Sequence, residues 1–319
     1  MTDLINLNER VSGRAHKGYR IHRFSMMALL IFMGALLLFL IRPNVIKTRD
    51  RILVLYALAD NDDHAIPNFA FFVKFAINRD RRSRYIIILQ GFSQDSQSKL
   101  PSLPSHAEYV LHSNQCYDWG TYGWLLQSGM VNWKKFKHFI FINSSVRGPF
   151  LDSYFRGHWT DPFLSLLRGS VKLVGPTISC EGSPFRGNVS GHWRKNPHVQ
   201  SYAFATDIIG LMVLLEDSDV FSCHSDRWDA IYYSELGSSA AIFKAGYSID
   251  CFLLRYANVQ WEITTQCIDN RNPLTNPALP VDPLEVMFVK FKHDIQPTLV
   301  IKYSEWMEKN LGTKPTSNP

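Results

Sequence analysis

A membrane-tethered α/β domain with a mainly parallel sheet is the fold class predicted by this sequence, on three observations. Residues 24–41, FSMMALLIFMGALLLFLI, carry no charge. Beyond residue 51, short apolar runs alternate with segments of helical periodicity, the pattern of successive βαβ units. One of those runs, His138 to Ile142, stops abruptly at Asn143-Ser144-Ser145, and parallel sheets hold ligands at such carboxyl ends.

The apolar run is at the short end of the roughly 17–25 helical residues that cross a hydrocarbon core, so it suits a thin bilayer. Ile41-Arg42-Pro43-Asn44-Val45 behind it lacks the small-x-small pattern of a signal-peptidase site, so we read an uncleaved signal anchor. A buried core helix fits poorly with a segment apolar on every face and flanked by Arg on both sides. Arg10, Arg14, Lys17, Arg20 and Arg23 precede it and Arg42, Lys47, Arg49 and Arg51 follow it, a slight bias toward a cytosolic N-terminus. The expected organisation is a cytosolic tail over 1–23, a transmembrane anchor over 24–41, a stem over 42–50, a luminal domain over 51–293, and a C-terminal helix with a fraying tail over 294–319. The expectation is a single-pass type II protein of the Golgi or endoplasmic reticulum membrane with its domain luminal.

The net charge of +6 draws much of its excess from the anchor flanks, where basic residues face lipid headgroups, so it does not argue for nucleic acid. Five cysteines, Cys116, Cys180, Cys223, Cys251 and Cys267, show no metal spacing. An oxidising lumen permits at most two bridges plus one free thiol, with the pairing open.

Ile52 to Leu58 is an apolar run that suits a strand buried on both faces. From Asn68, residues Phe69, Phe72, Val73 and Ala76 fall at i, i+3, i+4 and i+7, one helical stripe able to cover the sheet. Tyr85 to Leu89 is the next strand, Gly91 to Ser105 a Ser/Gln/Pro-rich loop, Glu108 to Leu111 a third strand, and Asp118 the N-cap of a helix through Trp124-Leu125-Leu126. Further on, a helix is expected from Trp228 to Ala245, strands at Ile249 to Leu253 and Leu284 to Lys290, and a terminal helix from Pro297 through Trp306 to Leu311.

Four segments carry a family resemblance. Phe141-Ile142-Asn143-Ser144-Ser145-Val146-Arg147-Gly148-Pro149-Phe150 resembles the Asn-x-Ser-x-x-Gly-Pro segment of the rhamnan synthesis protein F group, glycosyltransferase-like proteins of the GT-A fold. Cys116-Tyr117-Asp118-Trp119-Gly120 is similar to that group's Gly-x-Asp-x-Gly element. His198 to Asp207 and Ser234-Glu235-Leu236-Gly237-Ser238 resemble two later blocks, in the expected order. The resemblance implies a GT-A-like domain that takes a nucleotide sugar as donor substrate and a glycan or glycoprotein as acceptor, with inversion. The alternative is a non-catalytic carbohydrate-binding or scaffold protein on the same fold. A membrane-anchored hydrolase ranks third, because neither a nucleophile elbow nor a clear carboxylate pair is present.

Within that expectation Glu235 resembles the acidic position that serves as catalytic base; without the resemblance it is a helix-face glutamate. Asp118, Asn143, Ser144, Ser145 and Arg147 are the donor-binding candidates. Asp118 suits a uracil or ribose, or simply its own helix start, and the Arg147 fork suits phosphate oxygens. Arg255 and Lys290 are weaker cations of the same type. A metal-dependent GT-A enzyme carries Asp-x-Asp where this chain has Asn143-Ser144-Ser145, so metal dependence is open, with Asp152, Asp207 and His293 as weak ligand candidates. Of two glycosylation patterns, Asn188-Val189-Ser190 lies in an expected loop and Asn143 ends a buried strand, which selects Asn188. His192 and Trp193 in that loop are sugar-contact candidates, or partly buried under it.

Overall fold

The computed structural model describes residues 52–261, 272–273 and 281–311. The expected anchor over 24–41 lies outside the described residues, as do Cys267 and the tail over 312–319; among the described residues no helix is long and apolar enough to cross a membrane.

The chain runs β1 (Ile52–Ala59), α1 (Ala65–Phe75), β2 (Ser83–Gln90), α2 (Gln94–Ser98), β3 (Ala107–His112), α3 (Asp118–Gln127), β4 (His138–Asn143), β5 (Val146–Arg147), α4 (Asp161–Leu166), β6 (Val171–Gly175), β7 (Ile178–Ser179), β8 (Ser183–Pro184), β9 (Trp193–Arg194), β10 (His198–Val199), β11 (Ala203–Asp207) and α5 (Ile208–Glu216). There follow α6 (Arg227–Asp229), a π-helical turn (Ala230–Glu235), α7 (Leu236–Lys244), β12 (Ser248–Cys251), α8 (Pro283–Val286), β13 (Val289–Lys290) and α9 (Thr298–Leu311). Seven strands form the central sheet in the order β12-β6-β11-β4-β1-β2-β3. Only β11 runs against its neighbours β4 and β6, so the sheet is mixed and mostly parallel.

Every residue of β1 is buried, because helices cover both faces, as an all-apolar strand requires. On one face Phe69, Phe72 and Val73 of α1 pack over Val54, Tyr56 and Ile87; on the other, Trp119 and Tyr122 of α3 and Leu211 of α5 pack over Leu55, Phe141 and Phe204. The outward side of α1 is closed by Phe150, whose ring lies 5.5 Å from Phe71 and 6.4 Å from Tyr303 of α9. Contact of α3 with the segment beneath it depends on small residues. A Cβ on Gly123 would run into the Phe221 carbonyl, and one on Gly120 would sit 2.9 Å from the Cys223 Cα. Gly123→Ala is therefore expected to lower stability by about 1–3 kcal/mol, the usual range for overpacking against backbone; a wild-type denaturant midpoint would rule this out.

Several expected elements differ in detail. The first helix begins at Ala65 rather than Asn68, and the expected loop over 91–105 contains α2, capped by Ser93, whose Oγ accepts from the Ser96 N–H at 3.2 Å. Leu284 to Lys290 is not one strand: Asp282 caps a helical turn over Pro283–Val286, Met287 adopts φ 62°, and only Val289–Lys290 is extended. Pro283 at a helix start and a capping aspartate outweigh the β-branched composition there. Cys116 is bridged to Cys223, Cys180 is also disulfide-bonded, and Cys251 is a buried free thiol.

Candidate functional site

Beyond the carboxyl ends of the parallel strands a cleft of about 380 Å³ opens, lined among others by Asp118, Glu235, Lys290, Arg227, Ser183 and His198. Each wall has a local cause. Asp118 enters as the first residue of α3, directly after the loop leaving β3. It is not the N-cap: Tyr117 holds that position and no side chain caps the helix. The Asp118 carboxylate instead accepts a 2.6 Å hydrogen bond from Asn143 Nδ2. Burial pushes the Asp118 carboxyl above the usual carboxylate range, against the opposing pull of the Asn143 amide, the facing Gln90 amide and the Lys290 charge. Gln90 is buried, and its amide faces the Asp118 carboxyl.

Glu235 is placed by the π-helical turn. The expected continuous helix is interrupted over Ala230–Glu235, and regular α-helix resumes at Leu236. Such turns displace the residues at their end and recur at functional sites. The shift is held by donors from the segment after β8: Arg194 Nη1 donates to the Tyr232 carbonyl at 2.6 Å and Asn196 Nδ2 to the Leu236 carbonyl at 3.1 Å. The Glu235 carboxyl is raised above its usual range, first by burial and also by the Asp118 charge, while Lys290, a Ser201 hydrogen bond and Arg227 pull it down. Asp118, Glu235 and Lys290 thus form one electrostatic unit.

Asn143, Ser144 and Ser145 divide their roles. Asn143 Oδ1 accepts from the Ser145 N–H at 3.1 Å and the Ser145 hydroxyl at 2.6 Å, so its amide is oriented toward Asp118. Ser144 turns inward: its N–H donates to the Ala57 carbonyl and its buried hydroxyl lies against Ala59. Neither serine lines the cleft.

Arg147 is not in the cleft either. Its Nε donates to Asn68 Oδ1 at 2.9 Å and its guanidinium lies 4.2 Å from the Phe291 ring, on the α1 side of the sheet. Asn68, buried, clamps the same corner by donating to the carbonyls of Ser144 at 3.0 Å and Phe291 at 2.8 Å. Across the β5–β13 pair, Arg147 faces Val289 and Val146 faces Lys290, and the weaker candidate Lys290 is the one that reaches the cleft. Arg255 is exposed on the Leu254–Tyr256 turn and is absent from the lining.

The weak metal candidates lie apart. Asp207 ends β11 opposite His138 at the far end of the sheet, caps α5 through Gly210, and pairs with Lys172 at 2.7 Å. Asp152 accepts from the Tyr154 N–H at 2.7 Å, outside the cleft, and His293 is exposed and paired with Asp294. Among the described residues no group of three His, Cys, Asp or Glu converges. A hard divalent ion asks for converging anionic oxygens, whereas the Asp118 and Glu235 carboxylates both lie within the field of the Lys290 ammonium. The described residues of the cleft do not supply the ligand set of a metal site.

Three further cleft residues carry no periodicity or motif signal: Arg227 and Trp228, which precede the π turn, and Ser183. His198 lay in a recognised segment but without a role. Its ring is buried, Nδ1 lies 3.2 Å from the Asn196 carbonyl, and burial lowers its pKa to about 4. Free histidine titrates near 6.5, so between those values the unfolded chain binds the extra proton and stability rises with pH. Stability is expected to fall by up to about 3 kcal/mol as the pH drops across that window, and His198→Gln to flatten the slope; unchanged denaturation profiles in the variant would refute this. His192 and Trp193 are not in the lining: His192 contacts the Tyr232 hydroxyl and Trp193 Nε1 donates to the Val189 carbonyl. Asn188 is exposed between β8 and β9.

No protein-family model and no curated protein matches this chain, so kinship with the rhamnan synthesis protein F group rests on the four motif segments alone. Among solved structures, the chain is similar to the mannosyltransferase PcManGT from Pyrobaculum calidifontis in complex with GDP-Man and Mn2+, at a TM-score of 0.39 and 11% identity over 63% of this chain. The match spans 54% of that protein, about half of its length.

Proposed function

We propose that this cleft transfers a sugar from a nucleotide-sugar donor to a saccharide acceptor. One observation carries the reading: two carboxylates with raised pKa, Asp118 and Glu235, face one cleft at the carboxyl ends of parallel strands together with the Lys290 cation. A mostly parallel sheet with a single reversed strand is compatible with the GT-A-like fold implied by the motif resemblance.

In the proposed reaction Glu235 takes the proton of the acceptor hydroxyl. The acceptor oxygen forms a bond to the anomeric carbon as the bond from that carbon to the diphosphate oxygen breaks, and the electron pair leaves with the nucleoside diphosphate. A single displacement inverts the anomeric centre. Burial raises the basicity of Glu235, which favours proton abstraction. Lys290 and Arg227 replace Arg147 as the groups that neutralise the departing diphosphate. Asp118, oriented by Asn143, accepts hydrogen bonds from the nucleoside.

The Cys116–Cys223 bridge supports an oxidising compartment, in keeping with a luminal domain behind an N-terminal anchor in the Golgi or endoplasmic reticulum membrane and with glycosylation at Asn188. The test is incubation of the full chain with a panel of nucleotide sugars and saccharide acceptors, with and without Mn²⁺. Metal-independent turnover that disappears in Glu235→Gln supports the proposal. Saccharide binding with no donor binding would replace it with a non-catalytic carbohydrate-binding protein.

A further inference from the structure

The cleft is also lined by Glu181, Ser183 and His198, and the polar atoms of the last two are incompletely paired. A carbonyl oxygen can only accept, so the contact of His198 Nδ1 with the Asn196 carbonyl places the proton on Nδ1. Nε2 is left as a lone-pair acceptor, and no protein group within the described residues bonds to it. His198 is only 5% exposed and lines the cleft. In the same cleft the hydroxyl of Ser183, also buried, has no hydrogen-bond partner among the described residues. A buried hydroxyl is disfavoured when it lacks a partner, so the Ser183 Oγ, in the same cleft as the Nε2 acceptor of His198, marks a place where a hydroxylated ligand completes the hydrogen bonding.

Two exposed aromatic rings line the same cleft. Tyr117 and Trp228 both line the cleft and remain 44% and 41% exposed, against the tendency of large rings to be buried. Trp228 is also held in place. Gly187, at φ +73, passes so close that a Cβ on it would lie 2.7 Å from the indole Nε1, so the turn between β8 and β9 backs the ring while much of its surface stays in solvent. A fixed, exposed ring in the same cleft as an unpaired hydroxyl and a ring-nitrogen acceptor suits the apolar C–H face and hydroxyl edge of a sugar.

We propose that Trp228, His198 and Ser183 form the binding subsite for a neutral saccharide acceptor, with Trp228 stacking on the sugar face, His198 Nε2 accepting from one hydroxyl and the Ser183 hydroxyl pairing with another. The inference deepens the glycosyl-transfer reading and rests on it for the word acceptor, while saccharide binding at this subsite is measurable without any donor.

The test is saturation-transfer NMR of the full chain with neutral mono- and oligosaccharides in the absence of nucleotide, on wild type, W228A, H198Q and W193A, followed by acceptor KM in the transfer assay. Trp228 is exposed, so W228A is expected to fold, and W228F should restore part of the binding. The expected result is about tenfold weaker saccharide binding in W228A, the size of one lost stacking contact, a comparable loss in H198Q, a raised acceptor KM in both, and no change in W193A. Wild-type binding in W228A, or no saccharide binding by the wild-type chain, overturns the subsite. If W228A binds saccharide normally while Glu235→Gln loses transfer, the subsite fails and the function stands. If W228A loses saccharide binding but the wild-type chain turns over no donor, the subsite stands and the transfer reading fails.

Discussion

Glu235→Gln is expected to reduce sugar transfer by roughly 10²–10⁴-fold, the usual contribution of a positioned general base. The amide keeps the volume of the carboxylate and can still accept from Ser201, the hydrogen-bond partner of Glu235, so the loss should fall on turnover far more than on donor affinity. The pH profile offers a sharper test. A base must be deprotonated to act, so the rate rises with pH through the Glu235 titration, and burial places that rise above the usual carboxylate range. Lys290 and Arg227 pull the carboxyl down; Lys290→Met should therefore move the rise to still higher pH. Turnover in Glu235→Gln within a few-fold of wild type would remove Glu235 as the base.

The second large effect is on stability. Cys116 and Cys223 are 107 positions apart in the chain, and closing a loop of that size restricts the unfolded chain enough to stabilise the fold by about 2–5 kcal/mol. The bridge also joins the two charged walls, because Cys116 precedes Asp118 by one turn residue and Cys223 lies just ahead of Arg227 and Trp228. Replacing both cysteines by serine should lower the thermal midpoint by several degrees and weaken donor binding together with it. A double variant that melts like wild type would show that the packing of Trp119 against Phe204 and Phe221 holds this corner unaided.

Local sequence pattern was sufficient for the elements whose burial is uniform. β1, β2 and β4 read as strands because they are apolar on both faces, and α1 read as a helix because its apolar stripe faces the sheet. Asp118 was legible as a candidate because it sits between a strand and a helix, whereas Glu235 was a candidate only through the motif resemblance, its place at the end of a π-helical turn being visible only in the structure. The strand-like composition of Leu284 to Lys290 misled, since a capping Asp282 followed by Pro283 sets the backbone there before side-chain preference can act.

Chain order and local chemistry thus decide that apolar strands alternate with helices and that a polar turn follows β4. Which cation faces the carboxylates was decided only in three dimensions. Arg147 and Lys290 are both basic residues on short strands, and no periodicity distinguishes them. The β5–β13 pairing, more than a hundred residues apart in sequence, directs one toward Asn68 and Phe291 and the other into the cleft. Likewise, a buried Ser183 hydroxyl without a partner among the described residues and a Trp228 ring backed by Gly187 exist only once distant segments meet, because burial and hydrogen-bond vacancy are properties of the packed molecule rather than of any residue alone.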